Sequence, residues 1–181
     1  MSRTLVLGGA RSGKSAHAEG LVAGTEAVTY VATARRDPTD EEWTRRIAAH
    51  TARRPPSWRT VEAGETAAVP RLLRDARPSD PALLVDDIAT WLTGALDDAG
   101  AWQSAPGSRE AVAEHCDQLV TAVQDTAARV VLVSAEVGLG VVPANRSGRL
   151  FRDELGALNA RLAEVCEEVF LLVAGVPLRL R

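Results

Sequence analysis

A glycine-rich turn follows the first hydrophobic run of the chain. Residues 5–15 read LVLGGARSGKS, in which the last eight have the spacing G-x-x-x-x-G-K-S. A turn of this kind between a strand and a helix wraps backbone N–H groups around a phosphate, and the helix adds its positive end. The spacing therefore predicts a phosphate-binding loop, the P-loop, formed by Gly8, Gly9, Ala10, Arg11, Ser12, Gly13, Lys14 and Ser15. We expect Lys14 to reach the β- and γ-phosphate oxygens and Ser15 to bind Mg²⁺.

Composition limits the class of protein. The chain has 181 residues, of which 46% are hydrophobic and 25% charged, enough for one compact domain with a buried core. Since no repeat or linker interrupts the pattern, we expect a single domain over residues 1–181. A net charge of −3 and an aromatic content of 4% argue against a nucleic-acid partner.

No apolar run approaches the length of a membrane span, about 18 residues, and no cleavable signal is apparent. A cytoplasmic protein is expected.

The two cysteines predict no disulfide and no structural metal. Cys116 and Cys166 lie fifty positions apart within helical patterns, with no C-x-x-C and no histidine cluster nearby. Buried, reduced thiols are therefore expected.

Strand and helix patterns alternate along the chain. The predicted strands cover residues 3–8, 27–33, 58–62, 82–87, 129–135 and 168–175, with 176–181 as a candidate terminal strand. The predicted helices open at Ser15, cover residues 40–54, follow Asp87, cover residues 109–127 and include residues 155–165. Strands that are apolar on both faces and alternate with helices predict an α/β fold, a mostly parallel sheet with helices on both faces. Residues 97–108 are expected to form a loose loop.

Polar residues follow the predicted strands. In parallel sheets, ligands bind beyond the carboxyl ends of the strands, so these residues mark the expected nucleotide and metal site. They are Thr33 and Arg35 after the second strand, Glu62 after the third, Asp86 and Asp87 after the fourth, and Glu136 after the fifth. Asp86 is placed to hold Mg²⁺, directly or through water. Asp87 is better explained as the N-cap of the helix that follows.

A histidine among arginines stands out between residues 45 and 56. His50 is preceded at i−4 by Arg46 and followed at i+3 and i+4 by Arg53 and Arg54. On a helix, these guanidinium groups would lie around the imidazole, where they could clamp phosphate oxygens. Their positive charge also favours the neutral imidazole, the form that can attack phosphorus. The alternative is a packed or solvated histidine without a catalytic role.

A second arginine cluster follows the glycines at residues 138 and 140. Arg146, Arg149 and Arg152 could face a phosphate or a partner subunit. The alternative is a flexible loop followed by a solvated helix face.

Seven motifs together resemble those of one family. They read GGARSGKS (8–15), YVAT (30–33), RIAAH (46–50), RRPPSWRTVE (53–62), LLVDD (83–87), EVGLGVVPANR (136–146) and FRDELGALNARLA (151–163). In this order and spacing they resemble the bifunctional adenosylcobinamide kinase/adenosylcobinamide-phosphate guanylyltransferases of cobalamin biosynthesis. The sequence departs from the family in three places. Ala135 stands where asparagine is common, and Ala49 stands where a polar residue often precedes the histidine. The connection over residues 34–42 is longer than usual.

The resemblance implies a RecA-like P-loop fold, a homotrimer and two reactions. ATP or GTP phosphorylates adenosylcobinamide, and GTP then transfers GMP through a histidine, giving adenosylcobinamide-GDP and pyrophosphate. His50 matches the histidine that carries GMP. The positions that match nucleotide contacts are Thr33, Ala34, Arg35, Thr51, Ala52, Arg53, Arg54, Glu62 and Asp86.

Two other functions are compatible with the residues alone. A plain P-loop small-molecule kinase would leave His50 with a structural role. A non-catalytic, RecA-like regulatory protein would bind nucleotide only to set its state of assembly. Whether label from the α-phosphate of GTP stays on the protein distinguishes these functions.

Overall fold

A computed structural model describes residues 2–24, 27–35 and 54–181. Within these residues seven strands form one sheet: β1 (Arg3–Gly8), β2 (Val28–Ala32), β3 (Arg59–Glu62), β4 (Ala82–Asp86), β5 (Val130–Ala135), β6 (Glu168–Val173) and β7 (Val176–Arg179). The described helices are α1 (Lys14–Val22), α2 (Ala68–Asp75), α3 (Ile88–Asp98), α4 (Ser108–Asp125) and α5 (Arg146–Val165). A short 3-10 turn, Ala101–Gln103, lies between α3 and α4.

The sheet has the strand order β3-β2-β4-β5-β1-β6-β7. Neighbouring strands are parallel except β6 and β7, which are antiparallel. The register places the last residues of several strands side by side: Gly8 lies opposite Ala135, and Ala32 lies opposite both Asp86 and Glu62. The carboxyl ends of the strands therefore meet at one edge of the sheet, as the alternating pattern predicts.

Helices cover both faces of the sheet, as predicted. Alternate residues of each central strand point to opposite faces. On one face, Val6, Leu84 and Val133 pack with Ala18 and Val22 of α1. On the other face, the buried residues of the strands pack with those of α2 to α5 in a larger cluster. Because both faces are buried, the central strands are continuous runs of Val and Leu rather than alternating ones.

The predicted strands and the predicted N-cap agree closely with the structure. Each of the six predicted strands overlaps an observed strand to within two residues at either end, and the candidate terminal strand is β7. The carboxylate of Asp87 accepts a hydrogen bond from the backbone N–H of Thr90 at 2.7 Å, which confirms it as the N-cap of α3. The predicted helix over residues 40–54 lies outside the described residues except for Arg54.

Two features between the strands differ from expectation. The segment 97–108, expected to be loose, contains the end of α3, the 3-10 turn and the start of α4. Its Ala101 is buried, and the indole N–H of Trp102 donates to the carboxylate of Asp97. Helix α2 is not predicted at all. It is short, and Pro70 falls in its first turn, where the missing N–H costs no intrahelical hydrogen bond.

The cysteines confirm the predicted buried thiols. Cys116 and Cys166 are both buried and unbonded. Burial raises the pKa of the Cys116 thiol to about 11 and that of the Cys166 thiol to about 12.

Thiol labelling tests this burial. At pH 8 a thiol with such a pKa is ionised to at most about one part in a thousand, and the thiolate is the reactive form. We expect the native protein to resist an aromatic disulfide reagent at pH 8, to react faster as the pH rises, and to release both thiols on unfolding in guanidinium. Native labelling at the rate of the unfolded chain would contradict it.

Candidate functional site

The P-loop joins the carboxyl end of β1 to the amino end of α1. Arg11 and Gly13 both adopt positive φ, 57° and 89°, which turns the chain back on itself before Lys14. The first turn of α1 contains no acidic residue, and no side chain in the described ranges caps it. The first N–H groups of α1 are therefore available to an anion, which the helix dipole also favours.

Two polar side chains lie within this loop. The Lys14 ammonium is 3.4 Å from the carbonyl oxygen of Gly9, across the turn. The Ser12 hydroxyl is buried and has no hydrogen-bond partner among the described residues. A buried hydroxyl without a partner is costly, so its presence here fits a loop that supplies hydrogen bonds to a phosphate.

The neighbouring strands brace the P-loop from both sides. The N–H of Gly175, in the turn between β6 and β7, donates to the carbonyl of Ser12 at 3.0 Å. The N–H of Glu136, just after β5, donates to the carbonyl of Gly8 at 3.0 Å. These contacts hold the path of the loop through groups that are distant in sequence.

The carboxylate of Asp86 lies beside the first residues of α1. Its Oδ1 is 3.4 Å from the Ser15 hydroxyl, and its Oδ2 accepts a hydrogen bond from the Tyr30 hydroxyl at 2.5 Å. A hydroxyl and a carboxylate oxygen at a phosphate loop are the donors that Mg²⁺ takes, the remainder being water and phosphate. In the described part of the chain no three His, Cys, Asp or Glu form a metal cluster. The donor set thus fits Mg²⁺ bound together with a nucleotide.

Tyr30 is the residue that sequence reasoning missed. Burial, and then the charge of Asp86, raises the pKa of its hydroxyl, so the phenol stays protonated and donates to the carboxylate. The signal was present in the period-2 pattern, because the tyrosine shares a strand face with core residues. An aromatic residue in a strand is, however, an ordinary core residue, and nothing local distinguishes this one.

The Thr33 hydroxyl holds the backbone of Asp87 through two hydrogen bonds. It donates to the carbonyl of Asp87 at 2.8 Å and accepts from the N–H of Asp87 at 3.1 Å. The hydroxyl is buried. It ties the end of β2 to the chain leaving β4, and so fixes the backbone that carries Asp86.

Arg35 turns toward α3 rather than toward the P-loop. Its guanidinium donates to the carbonyl of Gly64 at 3.0 Å and pairs with Asp98 at 2.6 Å. The hydrogen bond from Arg35 holds the pKa of Asp98 below its usual value. In this arrangement the hydrogen bonds of Arg35 serve the packing of the β2 and β3 ends against α3.

Of the other predicted contact residues, three lie within the described part of the chain and four lie outside it. Glu62 ends β3 at the same edge as Asp86, and Ala34 follows β2 beside Gly64. Arg54 donates to the Thr60 hydroxyl at 3.1 Å and lies over the Tyr30 ring. The remaining predicted residues, His50, Thr51, Ala52 and Arg53, lie outside the described residues.

The second arginine cluster contacts backbone carbonyls of the 3-10 turn and of the segment between β5 and α5. Arg146 donates to Trp102 at 2.9 Å, Arg149 to Pro143 at 3.1 Å, and Arg152 to Gly138 at 3.1 Å. These bonds tether the segment between β5 and α5. The sequence left these arginines either facing a phosphate or a partner subunit, or on a flexible loop and a solvated helix face.

Comparison with known proteins identifies the family. The model of the family described as cobinamide kinase / cobinamide phosphate guanyltransferase matches residues 4–180. The chain belongs to this family. It is 46% identical to the bifunctional adenosylcobalamin biosynthesis protein CobP of Pseudomonas aeruginosa, covering 99% of this chain and 97% of that one. It is 40% identical to the bifunctional adenosylcobalamin biosynthesis protein CobU of Salmonella typhimurium, covering 98% of each.

Solved structures agree on the fold. A type III secretion system ATPase from pathogenic bacteria matches with a TM-score of 0.57 at 12% identity, covering 95% of this chain and 51% of that one. The ATPase EscN of enteropathogenic E. coli matches with a TM-score of 0.54 at 11% identity, covering 96% and 43%. At these identities the likeness concerns the fold alone, a P-loop ATPase fold.

Gly8 and Gly9 provide a matched pair that tests the loop geometry. A methyl group on Gly8 would lie 2.3 Å from the Ser12 hydroxyl and 3.2 Å from the carbonyl of Leu172, whereas one on Gly9 would meet nothing within 4 Å. Without nucleotide, Gly8→Ala should lower the free energy of unfolding by about 1–3 kcal/mol. Gly9→Ala should change it by less than about 0.5 kcal/mol. Denaturant unfolding measures both, and equal losses would contradict the loop geometry.

Proposed function

We propose that the protein phosphorylates the aminopropanol hydroxyl of adenosylcobinamide and then converts the product to adenosylcobinamide-GDP. Membership of the family and the 46% identical bifunctional relative support both reactions. The structural observation that carries the proposal is the P-loop with Asp86 Oδ1 beside the Ser15 hydroxyl. Such a site binds a nucleoside triphosphate and its metal.

The first reaction transfers the γ-phosphoryl group of ATP or GTP. The hydroxyl oxygen of the substrate forms a bond to the γ-phosphorus, the bond to the β,γ-bridging oxygen breaks, and the hydroxyl proton is released. Lys14 and the first N–H groups of α1 stabilise the charge that develops on the phosphate oxygens. Ser15 and Asp86 would hold Mg²⁺, directly or through water. The metal, when bound, neutralises phosphate charge.

The second reaction passes through His50. The imidazole attacks the α-phosphorus of GTP, forming a nitrogen–phosphorus bond and releasing pyrophosphate. The phosphate of the first product then attacks the same phosphorus, the nitrogen–phosphorus bond breaks, and adenosylcobinamide-GDP leaves. Two in-line displacements replace one difficult step, which is the advantage of a covalent intermediate.

The position of Arg54 supports the reach of His50. Arg54 contacts the ring of Tyr30, and Tyr30 contacts Asp86. Arg54 follows His50 by four positions, and four extended residues span at most about 14 Å. The chain therefore allows the imidazole to approach a triphosphate bound at the P-loop.

The assembly and the location of the protein are proposals that rest on the family resemblance. We propose a homotrimer, a cytoplasmic location and a single functional unit over residues 1–181. Exposed apolar side chains at Val176, Leu178 and Leu180 offer a surface that another copy could cover. None of the helices in the described ranges is both long enough and apolar enough to cross a bilayer.

Labelled GTP tests the second reaction. With GTP labelled at the α-phosphate, the denatured protein should retain label in an acid-labile, alkali-stable bond, as expected for a phosphoramidate. His50→Ala should abolish this label because it removes the nucleophile, whereas His115→Ala, on α4, should retain it. No α-label on the protein, together with transfer of the γ-phosphate to adenosylcobinamide, would support a plain kinase. No label and no turnover would support a nucleotide-binding regulatory protein.

Lys14→Ala tests the first reaction. Removing the ammonium should lower kcat/KM for phosphorylation of adenosylcobinamide by about 100-fold or more. Arg71→Ala, which removes an exposed cation on α2, should leave it unchanged. Lys14 is also the only lysine in the sequence, so ATP or GTP with Mg²⁺ should protect the native chain from an amine reagent at this side chain. Undiminished turnover of Lys14→Ala would contradict the assignment of the P-loop.

A further inference from the structure

Asp86 is held by a residue outside the predicted nucleotide-binding set. The Tyr30 hydroxyl donates to Asp86 Oδ2 at 2.5 Å, while Oδ1 faces Ser15 at 3.4 Å. The two carboxylate oxygens thus have different partners: one is engaged by a buried phenol, and the other is turned toward the P-loop.

The strand register explains how the tyrosine reaches the carboxylate. β2 and β4 are parallel neighbours, with Tyr30 opposite Leu84 and Ala32 opposite Asp86. Because side chains alternate along a strand, Tyr30 and Asp86 lie on the same face, the one covered by α1. They are diagonal neighbours, a separation that an aromatic side chain can bridge.

The ring of Tyr30 is itself held in place. The guanidinium carbon of Arg54 lies 3.3 Å from the ring centroid, a cation–π contact. Arg54 is in turn anchored by its hydrogen bond to Thr60 on β3. Only 3% of Tyr30 is exposed, so the ring has little room to move, and the hydroxyl has a defined position.

We propose that Tyr30 is a positioning residue that orients Asp86 for the metal of the nucleotide complex, with Arg54 holding the ring. The hydrogen bond occupies Oδ2 and leaves Oδ1 directed at the hydroxyl of Ser15. The inference rests on the proposed function, because it requires that Asp86 acts toward Mg²⁺. If the tyrosine only filled space, its replacement by phenylalanine would leave the affinity for the metal unchanged.

Tyr30→Phe is the direct test, because it removes the hydroxyl and keeps the ring under Arg54. The readout is the Mg²⁺ concentration that half-saturates binding of a non-hydrolysable GTP analogue, measured by titration calorimetry. Paramagnetic resonance with Mn²⁺ provides an independent measurement. Groups that orient metal-binding side chains typically change metal affinity by a factor of ten or more, so we expect about a ten-fold higher metal requirement. Metal-free binding of the analogue should be unchanged.

Thr126→Val is the matched control. Thr126 also has a buried hydroxyl, which donates to the carbonyl of Leu73 at 2.8 Å, but it precedes β5 at the opposite edge of the sheet. Its loss should affect stability and not the metal requirement. An equal increase in the metal requirement for both variants would overturn the proposal, since the effect would then come from a loosened fold.

Asp86→Asn separates this inference from the proposed function. If Asp86→Asn raises the metal requirement and Tyr30→Phe does not, the positioning role fails and the metal role stands. If neither variant changes it, the metal role of Asp86 also fails.

A second measurement covers the case in which Tyr30→Phe does not fold. Tyr30 is the only tyrosine of the chain, so biosynthetic fluorotyrosine labels this position alone. The fluorine resonance of the labelled protein should shift when Mg²⁺ is added to the analogue complex, and this shift should be lost in Asp86→Asn. A fluorine resonance that does not shift when Mg²⁺ is added would overturn the proposal.

Discussion

The parallel register of the central strands is the constraint on which the site depends. β1, β4 and β5 each end at the same edge of the sheet, where Gly8 lies beside Ala135 and Asp86 beside Val133. A phosphate loop leaving β1 is thereby placed next to a carboxylate leaving β4, although more than seventy residues separate them in the sequence. Packing of α1 on this face brings Ser15 to Asp86.

Hydrogen bonds between distant segments then hold the edge in shape. Thr33 fixes the peptide of Asp87, and Tyr30 fixes the carboxylate of Asp86. Gly175 binds the carbonyl of Ser12 from the other side. These bonds join the carboxyl ends of β2 and β4 to each other, and the P-loop to the turn between β6 and β7. The site can therefore present polar groups to a ligand without depending on flexible loops for their position.

The helices and strands that the sequence predicts correctly are those whose signals lie within a few neighbouring residues. Apolar runs in β1, β4 and β5, the spacing of the P-loop and the N-cap at Asp87 are readable within a few residues, and the structure agrees with them. Helix α2 was missed because it has only eight residues and a proline in its first turn, although its apolar residues share one buried face. The segment 97–108 looks loose by composition, yet a buried Ala101 and the bond from Trp102 to Asp97 order it.

From the sequence alone one could conclude that this chain is a P-loop protein with a parallel sheet and the motifs of its family. These features are encoded by spacing, periodicity and capping, which act over neighbouring residues. The tertiary structure alone decided that Tyr30 holds Asp86, that Arg35 pairs with Asp98, and that the turn at Gly175 braces the P-loop. Such contacts depend on strand register and on the direction of individual side chains, and both are set by packing of the whole sheet.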